Sequence, residues 1–316
     1  MDTRPTRLYG RARETAEVCA AVLSGPGSTE ITGFAGMGKT ALAREAAGLL
    51  REEHGLPVLW APAAASADDL CGEAGDRAAL IVLDGLDEHG GRAPSVAGLA
   101  DRCPRAHVLI TSRAPLTPPA ANRVRLGPLA PAAGADAGYD LLLAAVRRAD
   151  PSFRPAPADA TAIAAVCRLL DGIPRSLEAA AHWFALATPG ELLALAREER
   201  LLLTAPPWES GRPRWLPRAA ARALTSLPLP HARLLAAMAR LDRPWTAAEA
   251  AAATAGDRFA TTRALRGLTA RGLVLPATGT FRGPTRFAIL ESVRAAWQES
   301  GFRISGEVLS GLRSTG

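Results

Sequence analysis

The sequence predicts an α/β protein: a parallel sheet, then a helical subdomain, then a small C-terminal domain. In the first 127 residues, short apolar runs alternate with helical stretches, which is the pattern of a parallel sheet with crossover helices. From 138 to about 201 apolar residues recur at spacings of three and four with no strand-like run. Residues 231–303 combine three helical stretches, two short strands and a final helix, which is the winged-helix pattern.

Composition and length set the broad class. A chain of 316 residues is long enough for about two domains. Hydrophobic residues make up 48% and charged residues 22%, which excludes wholesale disorder. No apolar run reaches the roughly 18–20 residues that a membrane span needs, so we expect no membrane partner and a cytoplasmic protein.

The cysteines are few and separated. None of the four belongs to a Cys-x-x-Cys pair, so we expect reduced, buried thiols rather than a disulfide framework or a zinc site; they are Cys19, Cys71, Cys103 and Cys167. Two histidines lack a second ligand at metal-binding spacing, so we interpret His89 as a turn residue and His182 as a packed helix residue.

Five strands are predicted for the first domain. The first strand ends at 30–32, and the other four lie at 57–60, 79–83, 107–111 and 123–126. The last is shorter and more polar than the others, so we expect it at an edge of the sheet. The run 79–83 is continuously apolar, as expected for a strand buried on both faces. A glycine-rich turn follows the first strand, and a helix is predicted over 41–50.

That turn carries the strongest signal in the chain. It matches G-x-x-x-x-G-K-[ST] at every position and lies between a strand and a helix, as a phosphate-binding loop requires; its residues are Gly33, Phe34, Ala35, Gly36, Met37, Gly38, Lys39 and Thr40. Main-chain amides and the helix N-terminus, which includes Ala41, would bind phosphates. Lys39, the only lysine among 37 basic residues, would reach the terminal phosphates, and the Thr40 hydroxyl would bind Mg²⁺.

Acidic residues follow the third predicted strand. Asp84 ends the buried run, where the carboxyl end of a parallel strand opens onto a ligand crevice, so we predict it as the second magnesium ligand and a catalytic residue. The alternative is an aspartate that starts a turn before Gly85. Asp87 and Glu88 could orient or deprotonate a water, with Asp87 as the second catalytic candidate, or could cap a helix.

An arginine follows the fourth predicted strand. Beside the phosphate crevice, Arg113 could contact the γ-phosphate and distinguish ATP from ADP; alone, it would be interpreted as a surface arginine.

The net charge of +6 and the isoelectric point of 9.9 invite a nucleic-acid interpretation. The arginines are spread along the chain without a run of five, so a solvated, arginine-biased surface is the better interpretation.

Together these motifs resemble the signal-transduction NTPases with numerous domains (STAND), in the NB-ARC/AfsR-like branch of regulators. Residues 9–14 resemble the segment that lies against adenine, which makes Gly10 and Arg11 nucleotide-binding candidates. Residues 171–174 resemble the Gly-x-Pro whose proline, here Pro174, packs on the base or ribose. The runs 80–84 and 109–113 resemble the metal-binding strand and the sensor, and 286–294 resembles a winged-helix segment.

The resemblance implies a P-loop NTPase sheet of the ASCE type and a division of the chain into a nucleotide-binding domain, a helical subdomain, a Pro- and Trp-rich linker, a winged-helix domain and a tail. The predicted ranges are 1–127, 128–204, 205–230, 231–303 and 304–316. We expect no effector domain before residue 8 and no repeat sensor after residue 300.

The implied function is a switch driven by ATP, ADP and Mg²⁺, with slow hydrolysis. The winged helix would close over ADP, and ATP would expose a surface for self-association or for a protein partner. Gly85 replaces an acid found in many relatives, which weakens the case for hydrolysis, and Leu290 replaces a histidine that contacts ADP in other branches.

Two alternatives stay open. A DNA-binding AAA+-type ATPase would place a helix at 257–271 in the major groove, using arginines that could equally form a solvated face: Arg258, Arg263, Arg266 and Arg271. Arg175 would serve as a lid arginine in either case. A third possibility is an interaction scaffold that keeps nucleotide as a fixed structural ligand.

Overall fold

The computed structural model describes residues 8–61, 66–86, 96–116, 119–129, 131–132, 135–209, 215–254, 256–277 and 284–299. The chain forms two compact units. Unit 1 comprises Met1–Ser152, Gly172–Glu178 and Ala270–Gly272. Unit 2 comprises Phe153–Asp171, Ala179–Thr269 and Leu273–Gly316.

The centre of unit 1 is a parallel five-stranded sheet. Its strands are β1 (Gly27–Thr32), β2 (Val58–Trp60), β3 (Ala79–Leu83), β4 (Ala106–Ser112) and β5 (Asn122–Arg125). The spatial order is β2-β3-β4-β1-β5, so the five predicted strands and the edge position of the last are confirmed. Every residue of β3 and β4 is buried, as the continuous apolar run in β3 predicts. A short hairpin of β6 (Pro131–Ala132) and β7 (Ala135–Asp136), which the sequence analysis does not predict, follows the sheet.

The helices of unit 1 precede, connect or follow its strands. They are α1 (Ala12–Leu23), α2 (Lys39–His54), α3 (Ala67–Ala74), α4 (Val96–Arg102) and α5 (Ala137–Ala149). Helix α2 buries apolar residues at helical spacing, from Leu42 to Leu50, against α1 and the sheet. Asp136 caps the N-terminus of α5 by accepting from the amides of Gly138 and Tyr139.

The expectation of four reduced cysteines is wrong for two of them. Cys71 in α3 and Cys103 just after α4 form a disulfide, with their Cα atoms 5.5 Å apart. The two helices pack in one apolar cluster with β3 and β4, which brings together cysteines 32 positions apart in sequence. Sequence spacing carries no sign of that packing. Cys19 and Cys167 are not disulfide-bonded.

Unit 2 is mainly helical. Its helices are α6 (Asp159–Leu169), α8 (Pro189–Glu199), α9 (Trp215–Thr225), α10 (Leu229–Met238), α11 (Ala247–Ala253), α12 (Arg258–Ala270) and α13 (Glu291–Glu299), with two 3₁₀ turns at His182–Ala185 and Leu202–Thr204. Helix α7 (Pro174–Ala181) begins in unit 1 and ends in unit 2. A three-stranded antiparallel sheet has the order β8 (Trp245–Thr246), β10 (Arg286–Ile289), β9 (Val274–Pro276).

The range 205–230, predicted as a linker, contains helix α9. This helix buries Leu216, Ala220 and Leu224 at helical spacing and packs against α13. Prolines before the helix and Pro217 in its first turn conceal this amphipathic pattern, so the linker interpretation of 215–225 is corrected. The stretch 279–283, which the two short strands of the predicted winged-helix pattern flank, lies outside the described residues. The domain boundaries stay a prediction.

Asp171 caps helix α13. Its carboxylate accepts hydrogen bonds from the main-chain amides of Glu291 (2.9 Å) and Ser292 (2.7 Å). Asp171 has a left-handed backbone with φ of 56°, and burial raises the pKa of its carboxyl. Within the part of the chain that the structure describes, no helix has both the length and the hydropathy of a membrane span.

Candidate phosphate-binding site

A cavity of about 590 Å³ lies in unit 1 beyond the carboxyl ends of β1, β3 and β4. This edge is where ligands bind in open parallel sheets, because the strand ends and helix N-termini open onto it. The cavity is lined by residues from seven separate stretches of the chain: 8–11, 35–44, 84–85, 111–113, Leu129, Leu141 and 174–178.

The predicted phosphate loop forms one wall. Helix α2 begins at Lys39, directly after Gly38, which has a left-handed φ of 89°. Gly33 allows a close approach, because a Cβ there would stand 2.5 Å from the carbonyl oxygen of Leu126. The Lys39 ammonium donates to the carbonyls of Gly33 (2.9 Å) and Phe34 (3.1 Å), which places its charge over the loop.

Asp84 and Thr40 come together at the floor of the cavity. The Thr40 hydroxyl donates to the Asp84 carboxylate at 2.8 Å, although the two are 44 positions apart. The Thr111 hydroxyl donates to the same oxygen at 2.6 Å and accepts from the Gly85 amide at 2.7 Å. A hydroxyl and a carboxylate are the hard oxygen ligands that Mg²⁺ takes beside phosphates, so Thr40 and Asp84 fit the metal. Among the described residues no cluster of three metal-ligating side chains occurs.

The structure explains the glycine after Asp84. Gly85 has a left-handed φ of 68°, a conformation that a second acid could adopt only with strain. Its amide is then turned toward Thr111. The predicted catalytic residue Asp87, with Glu88 and His89, lies outside the described residues.

Positive charge dominates the wall around the loop. Lys39, Arg44, Arg113 and Arg175 line the cavity, together with the carboxylates of Asp84 and Glu178. Arg113 follows the last residue of β4 as predicted, and the Arg175 amide donates to the Gly36 carbonyl at 3.2 Å. Burial raises the pKa of Glu178, while the charges of Arg148 and Arg175 act in the opposite direction.

The cavity lining also includes a group of apolar residues, which we call the apolar end. Its lining residues are Leu8, Tyr9, Leu129, Leu141 and Pro174. They come from segments far apart in sequence. Apolar residues in the same cavity as a phosphate loop can accommodate a planar base or a sugar.

Arg11 also lines the cavity and is buried. Its guanidinium donates to the main-chain carbonyls of Met37 (3.4 Å) and Gly127 and pairs with Glu14 at 3.1 Å. Burial lowers the pKa of Arg11, an effect that Glu14 opposes. Arg11 therefore holds a main-chain carbonyl of the phosphate loop and also lines the cavity.

Most of the predicted nucleotide-binding residues reach the wall. Those that line it are Arg11, Ala35, Gly36, Met37, Gly38, Lys39, Thr40, Ala41, Asp84, Arg113 and Pro174. Gly10, Gly33 and Phe34 do not appear in the described wall. Gly10 instead packs against Ala137, where a side chain would collide.

Other residues of the site have weak signals in sequence. Thr111 bridges Asp84 and Gly85, and Arg44 lies one turn after Thr40, a spacing that could have indicated it. Gly272 also reaches the loop, because a Cβ there would stand 3.1 Å from the amide nitrogen of Phe34. Its place just after a helix is typical of a left-handed C-cap and says nothing about its neighbours.

Neither protein-family models nor curated proteins give a match to this chain. Among solved structures, it is similar to the Walker-type ATPase PABY2304 of Pyrococcus abyssi, with a TM-score of 0.53 and 14% identity over 94% of this chain and 99% of that one. Two further structures have lower TM-scores. The STAND protein PH0952 of Pyrococcus horikoshii, which has a tetratricopeptide repeat sensor, gives 0.33 with 17% identity, over 93% of this chain and 43% of its own. AMPPCP-bound DnaA of Aquifex aeolicus gives 0.38 with 15% identity, over 82% and 88%.

The similarity to PABY2304 concerns the fold, and the other two are too distant to support an argument. The phosphate loop, the parallel sheet and the similarity to PABY2304 together support a P-loop NTPase fold.

Proposed function

We propose that this chain is an ATP- and ADP-binding NTPase of the STAND class, in its NB-ARC/AfsR-like branch, and that it acts as a nucleotide-dependent switch with slow hydrolysis. The observation that carries the proposal is the 2.8 Å contact between Thr40 and Asp84 beside the only lysine of the chain. A P-loop NTPase requires this pair at the phosphate end, with Mg²⁺ between protein and phosphates.

The shape and charge of the cavity support a nucleotide. Arginines and a lysine line the cavity with the loop, and the same lining includes the apolar residues of the apolar end. That arrangement suits a ligand with a polyanionic tail and a flat apolar head. The order of the sheet, with β4 between β1 and β3, supports the ASCE type.

Slow hydrolysis follows from the acids available. When bound, Mg²⁺ would neutralise developing charge on the phosphates. Asp84 would hold the metal, and Asp87 is the residue predicted to position or deprotonate the attacking water. Gly85 supplies no second acid beside Asp84, so turnover should be low.

The switch requires different affinities for the two nucleotide states. Arg113, at the end of β4 in the cavity wall, is the group proposed to sense the γ-phosphate. Three helices (α10, α11 and α12), the sheet β8-β10-β9 and α13 support a winged-helix domain, which we propose closes in the ADP state. A regulatory output through self-association or a protein partner, in the cytoplasm, completes the proposal.

The test combines ligand identity with mass in solution. Purified protein is extracted for bound nucleotide, and its mass is measured by light scattering with ADP and with a non-hydrolysable ATP analogue. We expect adenine nucleotide in the extract and a larger mass with the analogue. Lys39→Ala is the control and should lose both. Absence of adenine nucleotide binding to the wild type, or equal binding to Lys39→Ala, would refute the proposal.

A specific observation also favours a second function, DNA binding by α12. Its exposed face carries Arg258, Arg263 and Arg266 beside Phe259, which is 76% exposed. Titration of duplex DNA at several salt concentrations tests it, because phosphate contacts give a steep dependence on salt. The AAA+-type alternative is excluded if DNA affinity does not depend on salt and if the triple variant Arg258→Ala, Arg263→Ala, Arg266→Ala binds DNA as the wild type does.

A separate experiment tests whether the nucleotide is only a fixed structural ligand. Single-turnover hydrolysis, compared with Lys39→Ala, separates slow turnover from no turnover.

A further inference from the structure

Strand β1 carries a charged residue in the middle of the unit 1 sheet. Glu30 has no solvent exposure, and it precedes the phosphate loop by three positions. Burying a carboxylate is costly unless it is paired and hydrogen-bonded, so its partners indicate what it does.

Three donors satisfy the Glu30 carboxylate. One oxygen accepts from the Ser112 hydroxyl (2.7 Å) and from the Leu116 amide (2.9 Å). The other oxygen accepts from the Arg123 guanidinium at 2.8 Å, an ion pair between registered positions of β1 and β5.

The first two donors delimit one short segment. Ser112 is the last residue of β4, and Leu116 lies four positions further along the chain. One carboxylate oxygen therefore holds both ends of 112–116. Arg113, which lines the cavity, lies inside this segment, and the Ser112 hydroxyl oxygen also lies 2.9 Å from the Ala114 carbonyl oxygen.

We propose that Glu30 is a positioning residue for Arg113: it holds segment 112–116 so that the guanidinium stands ready for the γ-phosphate. The inference rests on the proposed function, in which Arg113 distinguishes ATP from ADP. A segment ordered before binding loses less conformational freedom when the ligand arrives, so the benefit falls on the nucleotide that Arg113 contacts. Because Glu30 lies on the strand that leads into the phosphate loop, one strand sets both the loop and the sensor.

The decisive readout is the ratio of ATP affinity to ADP affinity. A residue that only stabilises the sheet would change both affinities together. A residue that acts through Arg113 changes ATP affinity and leaves ADP affinity within about twofold, the usual limit of additivity.

The variant Glu30→Leu, Arg123→Leu removes both charges of the buried pair together, which avoids leaving one charge unpaired. Calorimetry should show the ATP-to-ADP affinity ratio falling about tenfold, within the range of ordinary coupling between sites. Glu30→Gln is the matched control, because its amide oxygen can still accept from Ser112 and Leu116, and we expect it to keep most of the ratio. If the double variant does not fold, Ser112→Ala removes one anchor of the segment alone and should lower the ratio in the same direction.

A cycle with Arg113→Ala completes the test. Arg113→Ala should lower the ratio by itself, and adding the Glu30 and Arg123 changes should lower it no further. An unchanged ratio in the anchor variants, or effects that multiply with Arg113→Ala, would overturn the inference alone. If the wild type binds neither nucleotide, the proposed function fails and the inference with it.

Discussion

The two ends of the cavity in unit 1 are built in different ways. At the phosphate end, one continuous loop supplies Lys39 and Thr40, and the residues directly after the adjacent strands β3 and β4 supply Asp84 and Arg113. At the apolar end, Leu8, Tyr9, Leu129, Leu141 and Pro174 arrive from four distant segments. The phosphate end therefore has a chemistry that residue types and spacing reveal, whereas the apolar end exists only once the chain has folded.

This difference predicts that ligands without a base should separate the two ends. Inorganic tripolyphosphate has the charge of the nucleotide tail and lacks its head, so only the phosphate end should bind it. Variants of the two ends should therefore differ in which of ATP, ADP and tripolyphosphate they lose.

The largest effect is expected for Lys39→Ala. Loss of charge-assisted contacts to two phosphates should weaken ATP, ADP and tripolyphosphate by about a hundredfold each, measured by calorimetry. Lys39→Arg is the matched control and should also fail, because a planar fork does not replace a compact ammonium. Near-normal binding by Lys39→Ala would contradict the assignment of this end.

Removal of Mg²⁺ should have the next largest effect. The metal and the polyphosphate bind together, so chelation should weaken ATP binding about tenfold. Asp84→Asn should reproduce that loss and show no further response to chelator. A variant that still gains affinity from Mg²⁺ would show that Asp84 does not hold the metal.

Tyr9→Ala tests the apolar end. Loss of apolar contact should weaken ATP and ADP equally, by about fivefold, and should leave tripolyphosphate unchanged. Tyr139→Ala replaces the other tyrosine of the chain, which does not line the cavity, and should change none of the three. A selective loss of ATP in Tyr9→Ala would mean that the two ends are not independent.

The smallest effect concerns pH. Because burial raises the pKa of Glu178, this carboxyl gains its proton at higher pH than an ordinary glutamate, and its repulsion of a polyphosphate then disappears. Lowering the pH from 7 to 5 should strengthen ATP binding by about twofold in the wild type relative to Glu178→Gln, since the group is partly exposed and screened. Equal pH responses in the two proteins would remove Glu178 from the site.

The same contrast explains how much the sequence could predict. The strand ends, the loop and Asp84 follow from local patterns, because parallel strands bring their carboxyl ends to one edge. The Glu30 contacts were out of reach, since they depend on the lateral order of β1, β4 and β5, and helix α9 was hidden by the prolines before it. Gly272, which reaches Phe34 from 238 positions away, illustrates the same limit.

The bridge between Cys71 and Cys103 closes positions 71–103 of the chain into a covalent ring, which contains β3, Asp84 and α4. A thiol reductant in the buffer opens the ring, so protein handled with and without reductant consists of two different covalent species. Affinities and turnover numbers are therefore comparable only between preparations kept in one of these oxidation states.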